Sequence, residues 1–238
     1  MINRGLSFFF ALGLASQAAS GQTLEMTKIV VRYSGPAIKP DSFFAQPKTV
    51  YLVGEKYTRI EEAADPAHKS QTLIITKEPD SWNVNLANKT AQHIVDPGPT
   101  FTARIPILWR PKPKGQPDPD QQLERFEFGN ETRFFRQAAA RDLGMRDVDG
   151  KQCKGYSVKI GAREIILLLD SQTDKPARID ITKDGKPEFS LNYISYETNL
   201  RFDPSLFELP PGLTVADAKP VPQQSASPFA TPKPAATP

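Results

Sequence analysis

LFELPPGLTVAD, Leu206 to Asp217, sets three apolar residues (Leu206, Phe207, Leu209) before a double proline and two more (Leu213, Val215) behind a glycine. Proline has no backbone N–H, so Pro210-Pro211 withholds the donors a sheet ladder needs, and the stretch reads as the stop at the end of a last strand. Gly212 permits the turn that follows, and Leu213 with Val215 are expected to tuck back against the sheet. From Ala218 the chain runs AKPVPQQSASPFATPKPAATP, which has little to bury. Residues 218–238 therefore read as a disordered or extended tail, and residues 21–217 as a single folded domain.

Working back from this boundary, apolar residues recur mostly at a period of two, the alternation of a β-strand. PARIDITKDGKPEFSLNYISY (Pro176 to Tyr196) reads as two strands joined at Lys183-Asp184-Gly185, an Asp-Gly pair suited to a tight hairpin. Before it, KGYSVKIG and REIILLLD bracket Gly161-Ala162. An earlier β run comprises Thr23 to Tyr33, Lys48 to Gly54, Lys56 to Glu62, Gln71 to Lys77, Ser81 to Ala87 and Ala91 to Asp96. Turn formers sit between these strands, and such short links make neighbours antiparallel. In SWNVNLA (Ser81 to Ala87), Trp82, Val84 and Leu86 share one face and Asn83 and Asn85 the other, as in a sheet with one dry side.

Two segments break the rhythm. WRPKPKGQPDPDQQ (Trp109 to Gln122) carries four prolines and reads as an exposed loop. LERFEFGNETRFFRQAAARDLG (Leu123 to Gly144) has Phe134, Phe135 and Ala138 at helical spacing among good helix formers, and Gly129-Asn130 divides it into two short helices. The simplest architecture is mainly β (α+β): one curved antiparallel sheet covered by helices.

The first twenty residues have a basic head (Arg4), an apolar run from Leu6 to Leu14 and small residues up to Ser20, the layout of a secretory signal peptide. The apolar run is too short to span a bilayer, no second one follows, and no cysteine lies near the cut for acylation. The expectation is a soluble periplasmic protein with no transmembrane segment after cleavage. With 30 Lys and Arg against 27 Asp and Glu, the net charge of +3 does not point to nucleic acid. Cys153 is the one cysteine, so no internal disulfide forms and stability must come from burial.

The order of elements resembles the LolA-like family of bacterial outer-membrane lipoprotein carriers and sorting proteins. Three stretches carry the resemblance: the closing phrase with Phe207, Pro210, Pro211, Gly212, Thr214, Val215 and Asp217; the run from Asp147 to Ile181; and the hairpin from Thr72 to Asp96. The resemblance implies an incomplete β-barrel closed by helices, whose hydrophobic interior shields lipoprotein acyl chains. It also implies an arginine on an early strand that holds the lid shut, for which Arg59 is the candidate. The cavity it implies would be lined by Trp82, Val84, Phe101, Phe134, Phe135, Phe189, Leu191 and Tyr193. The aromatic members of this set read first as ordinary core of a helix-covered sheet, with a lined cavity as the alternative that the resemblance suggests.

Catalytic chemistry finds little support. His68 and His93 are the two histidines; His93 near Asp96 reads as a strand-edge residue, because metal sites assemble several such ligands. Cys153 has no histidine or helix start beside it in sequence and reads as an inert thiol. No glycine-rich phosphate loop is present, and the Trp109, Arg110, Lys112, Lys114 cluster reads as a solvated loop. The expectations are therefore no enzyme, no cofactor and no metal. The partner is a lipid or lipoprotein acyl chain. The alternative is a non-enzymatic envelope interaction module that uses loop 109–122 or the tail to engage another protein.

Overall fold

The computed structural model describes residues 24–95, 105 and 126–218. The signal segment, Asp96, Phe101, the loop 109–122 and the tail after Ala218 lie outside the described residues. The strands are β1 (Glu25–Ser34), β2 (Lys48–Val53), β3 (Tyr57–Asp65), β4 (Ser70–Lys77), β5 (Asp80–Asn85) and β6 (Thr90–Val95). After helix α1 (Glu131–Gln137) come β7 (Arg141–Val148), β8 (Lys151–Ile160), β9 (Arg163–Asp170), β10 (Pro176–Lys183), β11 (Lys186–Arg201) and the short β12 (Thr214–Asp217). They form a single open, curved, mainly β sheet in the order β12-β6-β5-β4-β3-β2-β1-β11-β10-β9-β8-β7, with one α-helix among the described residues.

Two antiparallel meanders, β1 to β6 and β7 to β11, meet where β1 pairs with β11 from Glu25↔Arg201 to Ser34↔Ser190. The β10–β11 hairpin closes at Lys183↔Lys186 with Asp184 and Gly185 both at positive φ, the tight turn expected from that dipeptide.

Strand register shows that the two ends of the sheet bury opposite faces, with β1 to β3 contributing to both. On one face lie Ile29, Val50 and Ile60, which are cross-strand partners along β1, β2 and β3. This face continues through Leu191, Ile179 and Leu167 of β11, β10 and β9, and it is covered by Phe126, Phe128, Phe134 and Phe135. The other face carries Tyr51, Ile75 and Trp82, with Leu73 and Val84 in the next row, and is covered by Leu206, Phe207, Leu209 and Leu213. Alternation forces this result: Val50 and Tyr51 are neighbours in β2, so they point to opposite sides. A smaller cluster of Val148, Cys153 and Leu168 backs β9.

Two sequence expectations are corrected. Among the described residues of the stretch from Leu123 to Gly144, the α-helix is confined to Glu131–Gln137; Ala139 takes φ +49, and the chain then enters β7. Asp149 and Gly150, both at positive φ, close a β7–β8 hairpin at Val148↔Lys151, and that pairing draws residues 141–148 into a strand despite their helical neighbours. The double proline also ends no strand. β11 stops at Arg201, and Pro204–Phe207 form a 3-10 turn capped by Asp203, whose carboxylate accepts from the Ser205 N–H at 3.0 Å. The prolines separate this turn from β12, which pairs parallel with β6, so Val215 lies in an edge strand and is 47% exposed rather than tucked in.

Phe207 is 1% exposed, and its ring meets those of Tyr57 and Phe202 at centroid distances of 5.4 and 5.9 Å. Phe207→Ala is expected to lower stability by about 3–5 kcal/mol, read as a shifted midpoint in urea with little change in slope.

Candidate functional site

The helix-covered face is the candidate. Its sheet wall is mainly aliphatic, with Tyr33 and Phe189 set among the aliphatic side chains, and three phenylalanines of the covering segment form a triangle against it. Ring centroids are 4.8 Å apart for Phe126–Phe134, 6.0 Å for Phe126–Phe135 and 5.6 Å for Phe134–Phe135. Phe134 and Phe135 follow one another because α1 lies across the sheet with both side chains buried. The segment enters beside Ile105, whose N–H donates to the Phe126 carbonyl at 2.9 Å, and Gly129 approaches so closely that an added Cβ would stand 2.7 Å from Leu52 Cδ1.

One acid is buried with the rings. Glu131, in the first turn of α1, is 1% exposed, and the Tyr193 hydroxyl donates to its Oε1 at 2.7 Å. A register shift in β11 leaves Ile194 unpaired between Val30↔Ser195 and Val31↔Tyr193, which brings Tyr193 and Tyr196 onto one face with centroids 6.0 Å apart. Burial pushes the Glu131 carboxyl up to about 7, although Tyr193 and the Glu131 and Gly129 N–H groups all donate to it. Burial also pushes the Tyr193 and Tyr33 hydroxyls up, with the Glu131 charge adding for Tyr193.

The eight residues assigned to a cavity fall in different places. Phe134, Phe135, Phe189, Leu191 and Tyr193 do share the helix-covered face. Trp82 and Val84 lie on the opposite face, with Ile75 and Phe207, so the set does not line one cavity. Phe101 is outside the described residues. Arg59 ties down the C-terminal segment rather than α1: its Nη1 donates to the Leu206 carbonyl at 2.6 Å and its Nε to Glu61 Oε1 at 2.6 Å. Cys153 is buried, and burial pushes its thiol up, the reverse of activation. Among the described residues no group of three or more His, Cys, Asp or Glu could hold a metal ion.

Sequence reasoning missed Glu131. The signal available was a carboxylate one residue past Gly129-Asn130, at the start of a segment whose remaining buried residues are aromatic, but its partner Tyr193 is 62 positions away.

No protein-family profile matches the chain, and no curated protein sequence matches it. Solved structures with a similar course include an uncharacterized conserved protein from Thermus thermophilus, at 10% identity and TM-score 0.46, over 83% of this chain and 92% of that one. MucB in the Pseudomonas aeruginosa MucA/MucB complex is similar at 10% identity and TM-score 0.42, over 79% of this chain and 56% of that one. A LolA superfamily protein from Nitrosomonas europaea is similar at 10% identity and TM-score 0.31, over 79% and 91%. Likenesses of this grade assign neither a family nor an activity. No helix among the described residues is long and apolar enough to cross a membrane.

The raised Glu131 carboxyl has a definite sign. An unfolded glutamate titrates near 4.5 and the folded one near 7, so the folded state keeps the proton longer. The stability this group contributes is complete below pH 4.5 and is lost as pH rises through 7, on the order of 3 kcal/mol in all. Glu131→Gln, which keeps an acceptor for Tyr193, is expected to flatten that fall in urea titrations between pH 4.5 and 8. An unchanged pH profile would place the ionised acid in contact with water.

Proposed function

We propose that the protein is a soluble periplasmic binding protein of lipoprotein-carrier type, without enzymatic activity. It takes a lipid or lipoprotein acyl chain on the helix-covered face, where Phe126, Phe134 and Phe135 now stand. The observation that carries this reading is how the cover is attached. It rests on the aliphatic wall through side chains, and its ties to the sheet include one buried hydrogen bond from Tyr193 and a 4.0 Å contact between the exposed Arg133 and Glu55. A cover held mainly by apolar burial is exchangeable for another apolar body of similar area. Three phenyl rings are worth roughly 5–9 kcal/mol of burial, and an acyl chain burying about ten methylenes is worth roughly 8 kcal/mol. The exchange is close to balance, which suits reversible loading.

A second reading, an envelope interaction module on the same fold, is favoured by one observation. β12 is an edge strand with all four residues exposed, and it leads directly toward the proline-rich tail. In-cell crosslinking with and without residues 218–238 separates the two, since a carrier keeps its lipid when the tail is removed.

The carrier reading is tested on protein purified from a periplasmic fraction, by lipid extraction with mass spectrometry and by titration with a fluorescent fatty acid. Co-purifying lipid is expected. Phe135→Ala, which opens space on the wall, is expected to tighten probe binding several-fold. Lipid-free protein, with no probe uptake by either form, would sink the proposal.

A further inference from the structure

The C-terminal segment from Phe202 to Asp217 crosses the second face of the sheet as a strap. Its apolar anchors are Phe202, Leu206, Phe207, Leu209 and Leu213. Three basic side chains from β3, β4 and β6 hold it at three points, all on the strap-covered face. Arg59 donates to the Leu206 carbonyl at 2.6 Å, Lys77 Nζ to Glu208 Oε1 at 2.8 Å, and the His93 ring stands against Asp217. Of the three side-chain types, histidine is the one that changes charge near neutrality.

His93 is built in as a charged bridge. Its Nδ1 is 3.0 Å from Asp217 Oδ1 on β12, and its Nε2 is 2.8 Å from Asp80 Oδ1 on β5. An ionised carboxylate only accepts hydrogen bonds, so the arrangement is satisfied at both ends only when both ring nitrogens carry protons. The ring stacks on Trp82, with centroids 5.3 Å apart at 19° between planes, which fixes its orientation between the two acids. Among the described residues, the charged groups around it are Asp80 from β5, Asp217 from β12, and beyond Asp80 its cross-strand partner Lys77 on β4, itself tied to Glu208.

Among the described residues, β12 is otherwise held by its parallel pairing with β6, from Thr214↔Thr90 to Asp217↔His93. It is four residues long, with every residue exposed. Its backbone bonds to β6 include Thr214 N–H to the Lys89 carbonyl at 2.9 Å and, from the residue after it, Ala218 N–H to the His93 carbonyl at 2.7 Å. Pro210, Pro211 and Gly212, the last at φ +77, separate it from the buried Phe207 anchor, so β12 can leave β6 without unseating the rest of the strap.

We infer that β12 is a proton-operated clasp: the His93 imidazolium holds it on β6, and loss of that proton loosens it and frees the β6 edge. The Asp217 and Asp80 carboxylates hold the His93 pKa above its ordinary value of 6.5. A folded-state pKa raised in this way gives docking that is complete below pH 6.5 and weakens as pH rises through the folded value. This inference does not depend on the acyl-chain reading.

The test is amide hydrogen exchange on the full chain between pH 5.5 and 8.5, expressed as protection relative to the unstructured rate at each pH. Protection at Thr214 to Ala218 is expected to fall about twofold to fivefold across this range, the scale of exposed ion pairs, while β5 stays constant. His93→Gln, which keeps hydrogen bonding but does not titrate, should lose the pH dependence. Asp217→Asn, at a side chain 89% exposed and therefore tolerated by the fold, should lower the His93 pKa read from its ring resonances. Protection of β12 that is independent of pH in the native chain would overturn the inference, as would a fall that persists in His93→Gln.

Discussion

Antiparallel pairing of β1 with β11 is the constraint on which the rest of the molecule depends. It makes two meanders into one sheet, and it sets the direction in which the chain leaves that sheet. β11 runs along β1 until Arg201 reaches Glu25, so Phe202 and the described residues after it emerge beside the N-terminal meander. There Phe202 and Phe207 meet Tyr57 of β3, and the chain has only to cross β4, β5 and β6 to reach the sheet edge. Were β11 shifted by one residue, its alternate side chains would exchange faces, and Leu191 and Phe189 would turn away from the phenyl cover.

Because the sheet buries apolar side chains on both of its faces, one cover does not suffice. The face shared by β9 to β11 and β1 to β3 is closed by aromatic side chains from residues 126–135, and the other face of the N-terminal meander by the strap after β11. At each cover's attachment stands a group whose proton is retained longer in the folded state, for opposite physical reasons. Glu131 keeps its proton because the carboxylate is expensive to bury, and His93 on β6 keeps its own because two carboxylates face it. On these grounds the phenyl cover and, by the clasp inference, the β12 end of the strap would be held most firmly in acid, one through neutrality and the other through charge.

Much of this was legible in the sequence, and the limits are specific. Trp82, Val84 and Leu86 in SWNVNLA, and Phe189 and Leu191 in EFSLN, announce strands with one apolar side, and Asp184-Gly185 announces its hairpin. Alternation fixes which residues of a strand face together, but not which side of the whole sheet they face. Trp82 and Phe189 look alike in sequence and end on opposite faces, a distinction held in the registers across β5, β4, β3, β2, β1 and β11. The helix formers Ala138 to Ala140 masked the Asp149-Gly150 hairpin that makes β7. The double proline was legible as a break, but its setting was not, because the partner of the strand after it, β6, lies more than a hundred residues upstream. His93 likewise gave no sign of Asp217, from which it is separated by 124 positions.

β2 is where the two covers stand back to back. Val50 and Leu52 meet the phenyl-covered side, and Leu52 lies under the close approach of Gly129; Tyr51 and Val53 meet the strap side. β1 and β3 also face both ways, with Ile29 and Ile60 on the phenyl side and Met26 and Tyr57 on the strap side, whereas β9 and β10, and β4 to β6, serve one cover each, so perturbations confined to those outer strands should combine additively. At β2 they should not, because a close-packed strand that shifts to fill space on one side withdraws contacts from the other. An acyl chain that replaced the phenyl rings, as proposed, would be felt by the strap only to the extent that it moved these shared strands. β2 is hydrogen-bonded to β1 on one side and β3 on the other, which restrains such movement, so under both proposals loading of one face would leave the clasp on the other to answer to pH.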